Sequence, residues 1–358
     1  MYTDLTHVCV TLRVSLHEAM AQIDRSRLGI VLVVDEAGRL VGTITDGDVR
    51  RAILANMDLG QSVSVLLARK AGTRYANPIT ASITAEPSAW LRVLQENDVL
   101  HLPLVDDEQR VAGLVTLFEF MPNRDLPVQA LIMAGGAGDR LRPLTEDVPK
   151  PMLLVGDRPL LEIMIEQLRD AGIKRMCIST HHLPKKISQY FGDGQTRDVE
   201  LSYVTEDRPL GTGGALGLIE PPKETLLVIN GDILTQVDFR AMLAYHKEHQ
   251  ADLTIAVRQY DVKVPYGVIE CDGPTVRTLN EKPVMNLLVN AGIYLLEPSV
   301  YQFVPNGERF DMPDLIQRLL KAGRSVVSFP VMEYWLDIGQ QADYERAQEY
   351  VKSQKSQT

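Results

Sequence analysis

A shift of 71 residues lays the chain on itself without a gap, and this internal repeat limits the folds open to the first third of the sequence. Arg39-Leu40-Val41-Gly42-Thr43-Ile44-Thr45 falls on Arg110-Val111-Ala112-Gly113-Leu114-Val115-Thr116, and Val33-Val34-Asp35 falls on Leu104-Val105-Asp106. Each copy reads as a helix (16–25; 89–97), a strand (30–34; 102–105), a turn and a second strand ending at Thr45 or Thr116. A further helix starts near Asp48 in the first copy. The pattern predicts a small α/β unit present twice.

Residues 1–121, with repeats at about 1–66 and 77–121, resemble a pair of CBS regulatory repeats, which associate into one disc-like module. In that family a Gly-x-x-Thr/Ser-x-x-Asp run holds the ribose of an adenine nucleotide, and Gly42-Thr43-Ile44-Thr45-Asp46-Gly47-Asp48 matches it. The resemblance therefore implies an adenine-nucleotide site at Thr45, Asp48 and Thr116, although Glu119 replaces the aspartate in the second copy. Thr45 and Asp48 suit a cap of the next helix equally well. CBS modules commonly pair between chains, which implies a homodimer or a higher homo-oligomer.

The turn-forming run Met121-Pro122-Asn123-Arg124-Asp125-Leu126-Pro127 reads as a linker over 122–127, with a second domain at 128–358. There apolar strands alternate with helical patterns (128–133, 160–171, 175–179, 213–218, 226–230, 239–249, 253–257), and 294–296, 312–321 and 326–330 add a strand, a helix and a strand. This order predicts an α/β fold with a mainly parallel, doubly wound sheet, Rossmann-like, whose ligands bind beyond the carboxyl ends of the strands. At 45% apolar and 23% charged residues the chain reads as soluble and folded almost throughout. No leader or membrane-spanning run is visible, so a cytoplasmic protein without a membrane partner is expected. A net charge of -10 argues against a nucleic-acid partner. The odd set Cys9, Cys177 and Cys271 fits neither a disulfide framework nor a zinc site.

After the strand Ala130-Leu131-Ile132-Met133 comes Gly135-Gly136-Ala137-Gly138-Asp139-Arg140, then Leu141-Arg142-Pro143-Leu144-Thr145 and Pro149-Lys150-Pro151. Closely spaced glycines let a loop turn tightly and aim several N–H groups at an anion. A glycine-rich loop alone also serves as a plain turn, and its spacing matches neither a P-loop nor a dinucleotide fingerprint. The long run resembles the signature of sugar-1-phosphate nucleotidyltransferases. That resemblance implies triphosphate contacts from Arg140 and Lys150, with Leu131, Ala134, Gly135, Gly136 and Gly138 lining the nucleotide. Asp139 is expected to point away from the anion.

Asp232 ends the strand 226–230, and Asp337 lies in Trp335-Leu336-Asp337-Ile338-Gly339. Each alone reads as a cap or turn residue. Together, in the family's order, they imply a Mg2+ site, since magnesium takes a few hard oxygens plus substrate phosphates. By the same resemblance Tyr266, Gly267, Glu281, Lys282 and Asn290 bind the sugar phosphate. Glu206, Pro209, Gly211 and Thr212 form the base loop, where an acceptor-only Glu206 suits the N–H and NH2 donors of guanine. No metal cluster is expected around His181-His182.

The expected activity is thus transfer of a nucleotidyl group from an NTP, GTP first, to a sugar 1-phosphate, releasing pyrophosphate. The chain as a whole resembles bacterial enzymes that fuse CBS repeats to a guanylyltransferase-like domain, the glucosamine form among them. Open alternatives are uridylyl or thymidylyl transfer to a hexose 1-phosphate, guanylyl transfer to mannose or heptose 1-phosphate, and a nucleotide sensor with an inactive transferase domain.

Overall fold

In the computed structural model, residues 1–73, 76–97, 99–120 and 125–355 are described. Residues 122–124 of the expected linker lie outside the described residues. The chain divides into two compact units, Met1–Arg124 and Asp125–Thr358.

In the first unit each repeat forms a three-stranded sheet. The first repeat runs β1 (Cys9–Thr11), α1 (Leu16–Ser26), β2 (Ile30–Val34), β3 (Leu40–Thr45), α2 (Asp46–Leu54) and α3 (Val63–Lys70). The second runs β4 (Ala81–Ser82), α4 (Pro87–Glu96), β5 (His101–Val105) and β6 (Val111–Thr116). In both, a short first strand pairs parallel with the second, and the second pairs antiparallel with the third. The repeats share apolar surface: Leu114 of the second lies in one cluster with Val8, Ile30 and Leu32 of the first. His101 reaches across as well, its Nε2 lying 2.6 Å from the Leu28 carbonyl, and burial lowers its pKa to about 4.

The ribose-holding role expected of Thr45 and Asp48 meets a different arrangement. Thr45 caps α2, and Asp48 reaches back to the Thr45 N–H at 3.0 Å and its hydroxyl at 3.1 Å, completing a capping box. The Lys70 ammonium donates to Asp48 Oδ2 at 2.7 Å and Arg51 donates to Oδ1 at 2.7 Å, leaving Asp48 only 2% exposed. The carboxylate is engaged in holding α2 to α3, because an aspartate at the third helical position sits within reach of both the cap and the neighbouring helix. Thr116 is also buried.

The second unit is built on β7 (Val128–Met133), followed by β8 (Leu154–Val155), β9 (Arg158–Pro159), α5 (Leu160–Asp170), β10 (Arg175–Thr180), α6 (Pro184–Phe191) and β11 (Glu200–Thr205). Next come β12 (Thr225–Asn230), β13 (Ile233–Thr235), α7 (Phe239–Glu248), β14 (Leu253–Lys263), β15 (Val268–Asp272), β16 (Thr275–Asn280) and β17 (Val284–Leu296). α8 (Met312–Lys321), β18 (Val326–Pro330), β19 (Trp335–Asp337) and α9 (Gln341–Lys355) complete it. The seven-stranded sheet has the order β11-β10-β7-β12-β17-β14-β18. It is mainly parallel, and β17 runs antiparallel to both of its neighbours.

Leu131, Leu226, Val228, Leu253, Tyr294 and Leu296 of this sheet pack against Met312, Leu315 and Leu319 of α8 in one core cluster. The segment 213–218, expected as a helix, is a 3-10 helix over Gly214–Leu218. A Cβ on Gly214 or Gly217 would collide with Leu210 or the Pro305 carbonyl, so close backbone packing shapes this segment. Among the described residues no helix is long and apolar enough to cross a membrane.

Burial opposes ionisation of Asp48, yet Lys70, the Thr45 amide and Arg51 hold its carboxyl below the ordinary carboxylate value. Its stabilising effect is therefore present above the unfolded carboxyl pKa of about 4 and is lost as pH falls through the lower folded value. Asp48→Ala is expected to destabilise the first unit by about 3 kcal/mol, because it leaves the buried Lys70 ammonium uncompensated. Thermal unfolding at pH 7 and pH 3 checks this: the gap between variant and parent should narrow at the lower pH.

Candidate functional site

The glycine loop leaves the carboxyl end of β7 at the centre of the sheet. Ala134 donates its N–H to the Ser179 carbonyl at 2.9 Å, which fixes the start of the loop against β10. Gly138 has φ +72°, and a Cβ there would lie 2.9 Å from Thr145 Cγ2, so this turn requires glycine. Thr145 then donates its hydroxyl to the Gly138 carbonyl at 2.8 Å, closing the loop onto the segment that carries Lys150. Asp139 pairs with Arg142 at 2.7 Å. Gly136 is exposed, with open space where a Cβ would stand.

Asp232 follows β12 at the same edge. A Cβ on Gly231 would lie 2.9 Å from the Met133 carbonyl, so only glycine lets this chain end close beside the glycine loop. β13 and β19 form a two-stranded antiparallel sheet in which Ile233 stands opposite Asp337, and Ile338 donates its N–H to the Asp232 carbonyl at 3.0 Å. Residues more than a hundred positions apart thereby become neighbours. The buried Lys150 ammonium is ion-paired with Asp232. Partial burial pushes the Asp337 carboxyl up, the Asp232 charge adds to this, and Lys150 and Arg140 oppose it. A Cβ placed on Gly339 would lie 3.7 Å from Asp343 Oδ2 and 3.8 Å from both Arg140 Nη1 and Asp337 Oδ1, so these charged groups gather around Gly339.

An apolar cluster under this edge holds the parts in register. Leu141, Leu153, Leu234 and Ile338 are buried together with Val155, Leu160 and Ala347. Each charged group is a near neighbour in sequence of one of these anchors: Arg140 of Leu141, Lys150 of Leu153, Asp232 of Leu234, and Asp337 of Ile338.

The remaining expected residues lie in varied settings. Leu131 is fully buried in the core cluster and its backbone pairs with Cys177 and Val228, so its side chain belongs to the core. Ala134 is likewise only 1% exposed. Glu206 is 6% exposed, with Ser179 Oγ donating to Oε1 at 2.5 Å and the Leu210 N–H donating to Oε2 at 3.0 Å. A Cβ on Gly135 would lie 3.1 Å from Glu206 Oε1. Glu206 thus braces the base loop beneath the glycine loop, in place of the free acceptor edge expected of it. Pro209 stays exposed, and Gly211 has φ +85°. Thr212 fastens the loop to α8 through its N–H, which donates to Asp311 Oδ1 at 2.8 Å.

Tyr266, Gly267, Glu281 and Lys282 flank the β15–β16 hairpin, and a Cβ on Gly267 would lie 2.9 Å from Glu281 Oε2. Tyr266 is 75% exposed. Asn290 lies further along β17, its amide donating to the Tyr294 hydroxyl at 2.7 Å and its carbonyl accepting the Gly292 N–H at 2.9 Å. Among the described residues no hydrogen bond or ion pair joins the hairpin set to Asp232 or Lys150. His181 Nδ1 meets the Glu206 carbonyl at 2.8 Å, and among the described residues no cluster of three or more His, Cys, Asp or Glu side chains forms a metal centre. Sequence reasoning missed the roles of Ser179, Thr145 and Asp311, since uncharged or distant residues show no local signal.

Comparison with known proteins extends this geometry. The nucleotidyl transferase family model matches residues 129–354, and the CBS domain model matches 4–55 and 73–122. Over 241 residues the chain is 31% identical to a UTP–glucose-1-phosphate uridylyltransferase of Synechocystis, covering 62% of each chain. Over 227 residues it is 32% identical to a mannose-1-phosphate guanylyltransferase of Mycobacterium tuberculosis, covering 61% of this chain and 63% of the relative. The chain thus spans less than two thirds of the length of these relatives. A crystal structure from Bacillus anthracis, provisionally assigned as a glucose-1-phosphate thymidylyltransferase, shares the fold at a TM-score of 0.53 and 24% identity, covering 62% of this chain and 94% of that one. With more than half of its length matched by that one family model, the chain belongs to the nucleotidyl transferase family.

Proposed function

We propose that the chain transfers a nucleotidyl group from GTP to a sugar 1-phosphate, with glucosamine 1-phosphate among the acceptors. The observation that carries this reading is the meeting of two cations, Arg140 and Lys150, and two carboxylates, Asp232 and Asp337, at the end of β7 and β12. In the reaction a phosphate oxygen of the sugar 1-phosphate attacks the α-phosphorus, the bond from that phosphorus to the bridging oxygen breaks, and pyrophosphate leaves. Arg140 and Lys150 neutralise charge on the triphosphate and on the leaving group, and the loop at Gly135, Gly136 and Gly138 orients it.

The adjacent carboxylates fit a hard divalent cation: their donors are oxygens only, and partial burial together with the charge of Asp232 makes ionised Asp337 costly without one. Asp232 and Asp337 would hold Mg2+, which when bound supplies a Lewis acid for the phosphate oxygens. Tyr266, Gly267, Glu281, Lys282 and Asn290 are proposed for the sugar-phosphate half. GTP is supported by relatives that carry guanylyltransferase names, and the uridylyltransferase relative supplies the competing reading. With Glu206 engaged internally, reading of the base falls to the backbone of the loop that carries Pro209, Gly211 and Thr212.

Exposed side chains on the ribbon of β14 to β17, including Tyr260, Leu279, Met285 and Leu288, support association of copies. The adenine-nucleotide role of Thr45, Asp48 and Thr116 is proposed only with rearrangement of the Asp48 contacts.

Pyrophosphate release from five nucleoside triphosphates against glucosamine, mannose, glucose and heptose 1-phosphates tests the reading. GTP should give the highest kcat/KM, whereas release from no pair of substrates contradicts the activity and a preference for UTP contradicts the choice of base. Arg140→Ala should lower kcat at least about 100-fold with an unchanged thermal midpoint. Glu206→Ala should destabilise the second unit by about 1–3 kcal/mol, because Ser179 and the Leu210 N–H lose their acceptor. It should also raise the KM for the triphosphate while leaving the preference among bases unchanged.

A further inference from the structure

Two strands of the second unit run on past the neighbours that flank them in the sheet. β18 accompanies β14 only as far as Val257, and β12 accompanies β17 only over 293–296. Residues 258–263 and 284–289 therefore form a ribbon of two strands, with no third strand beside it among the described residues. The ribbon leads to and from the segment 264–283, which holds the β15–β16 hairpin and Tyr266, Gly267, Glu281 and Lys282. A pair of antiparallel strands is marginal in water unless one of its faces is packed. The placement of the residues proposed for the sugar phosphate thus depends on what packs against the ribbon.

Its two faces differ. Cross-strand partners share a face, and the faces alternate along each strand. Tyr260 stands opposite Leu287 and Val262 opposite Met285, so one face is apolar across both pairs. The other face interleaves Gln259, Asp261 and Lys263 with Leu288, Asn286 and Val284. On the apolar face Tyr260, Met285 and Leu287 are 59%, 50% and 46% exposed. At its inner end Arg258, opposite Val289, donates Nη1 to the Val331 and Glu333 carbonyls at 2.8 and 3.0 Å, which ties this cation to the body of the unit. Side chains of this size leave roughly 400 Å2 of apolar surface in one patch, within the range of patches that mark interaction sites. That is about half of the ~800 Å2 that each partner gives to a stable interface, as befits an apolar centre inside a polar rim.

A face without free charge offers nothing to an oppositely charged partner, whereas it lets two chains of net charge -10 meet with the least repulsion. Packing of identical faces also gives each ribbon the second layer that it lacks. We infer that the face of Tyr260, Val262, Met285 and Leu287 packs against the same face of a second copy across a two-fold axis, and that this contact holds the β15–β16 hairpin in place. The inference rests on the association of copies proposed above and assigns it to one face of the ribbon.

Sedimentation velocity of the full-length chain and of Leu287→Glu and Leu288→Glu tests it. The two leucines are neighbours of similar exposure on opposite faces, so a general loss of apolar surface would affect both variants alike. Leu287→Glu should halve the mass of the parental assembly and Leu288→Glu should leave it unchanged, both with parental circular dichroism. Trypsin should then cut after Arg277, within the hairpin, at least tenfold faster in Leu287→Glu than in the parent. An assembly that persists in Leu287→Glu, or that Leu288→Glu disrupts equally, overturns the choice of face. Parental protection of Arg277 in the halved assembly overturns the role given to the contact. A monomeric parent, whether or not it floats with phosphatidylcholine vesicles, removes the association of copies itself and the inference with it.

Discussion

The small apolar cluster of Leu141, Leu153, Leu234 and Ile338 is the constraint on which the site of the second unit depends. Charges of opposite sign do not assemble themselves at a sheet edge, because each ion gives up hydration and side-chain freedom to meet its partner. Non-directional burial of four anchors offsets that ordering at a distance of one to three residues from each charged group. The pairing of β13 with β19 then converts proximity into register, setting Asp337 opposite Ile233 and its neighbour Ile338 against the Asp232 carbonyl. The Lys150–Asp232 ion pair lies where these contacts bring its partners together.

A similar economy of groups shapes the first unit, where one repeated plan has two outcomes. Asp48 combines a helix cap with a buried ion cluster in the first repeat, so its acceptor capacity is taken up by Thr45, Lys70 and Arg51. At the outer edge of the second repeat, Trp90 donates its indole N–H to the Ser82 carbonyl, and the first repeat has the small, fully buried Ala19 at the matching position.

Much of the fold was legible because its signals are local. The 71-residue repeat anticipated α1, β2 and β3 and their counterparts α4, β5 and β6, though not the short opening strands β1 and β4 or α3, and α8 and β18 occupy the segments read as helix and strand. The charged site residues were legible only through a long signature, since Asp232 or Asp337 alone is an ordinary turn residue. β13 and β19 escaped notice because strands of three residues lack a periodicity to read, and their pairing spans about a hundred positions. Glu206 was read as an acceptor for a base because the sequence shows its chemistry and not its burial. Only the family resemblance implies a nucleotide contact for Leu131; its side chain is buried because β7 is a central strand covered on both faces.

The proposed role of Asp232 and Asp337, aligned by β13 and β19, is to hold a divalent cation against a triphosphate. Electron paramagnetic resonance of Mn2+ with the full-length chain and a non-hydrolysable GTP analogue measures this directly. Mn2+ binding is expected to depend on the nucleotide and to be lost in Asp232→Asn and in Asp337→Asn, both folded. Parental Mn2+ affinity in both variants would contradict it.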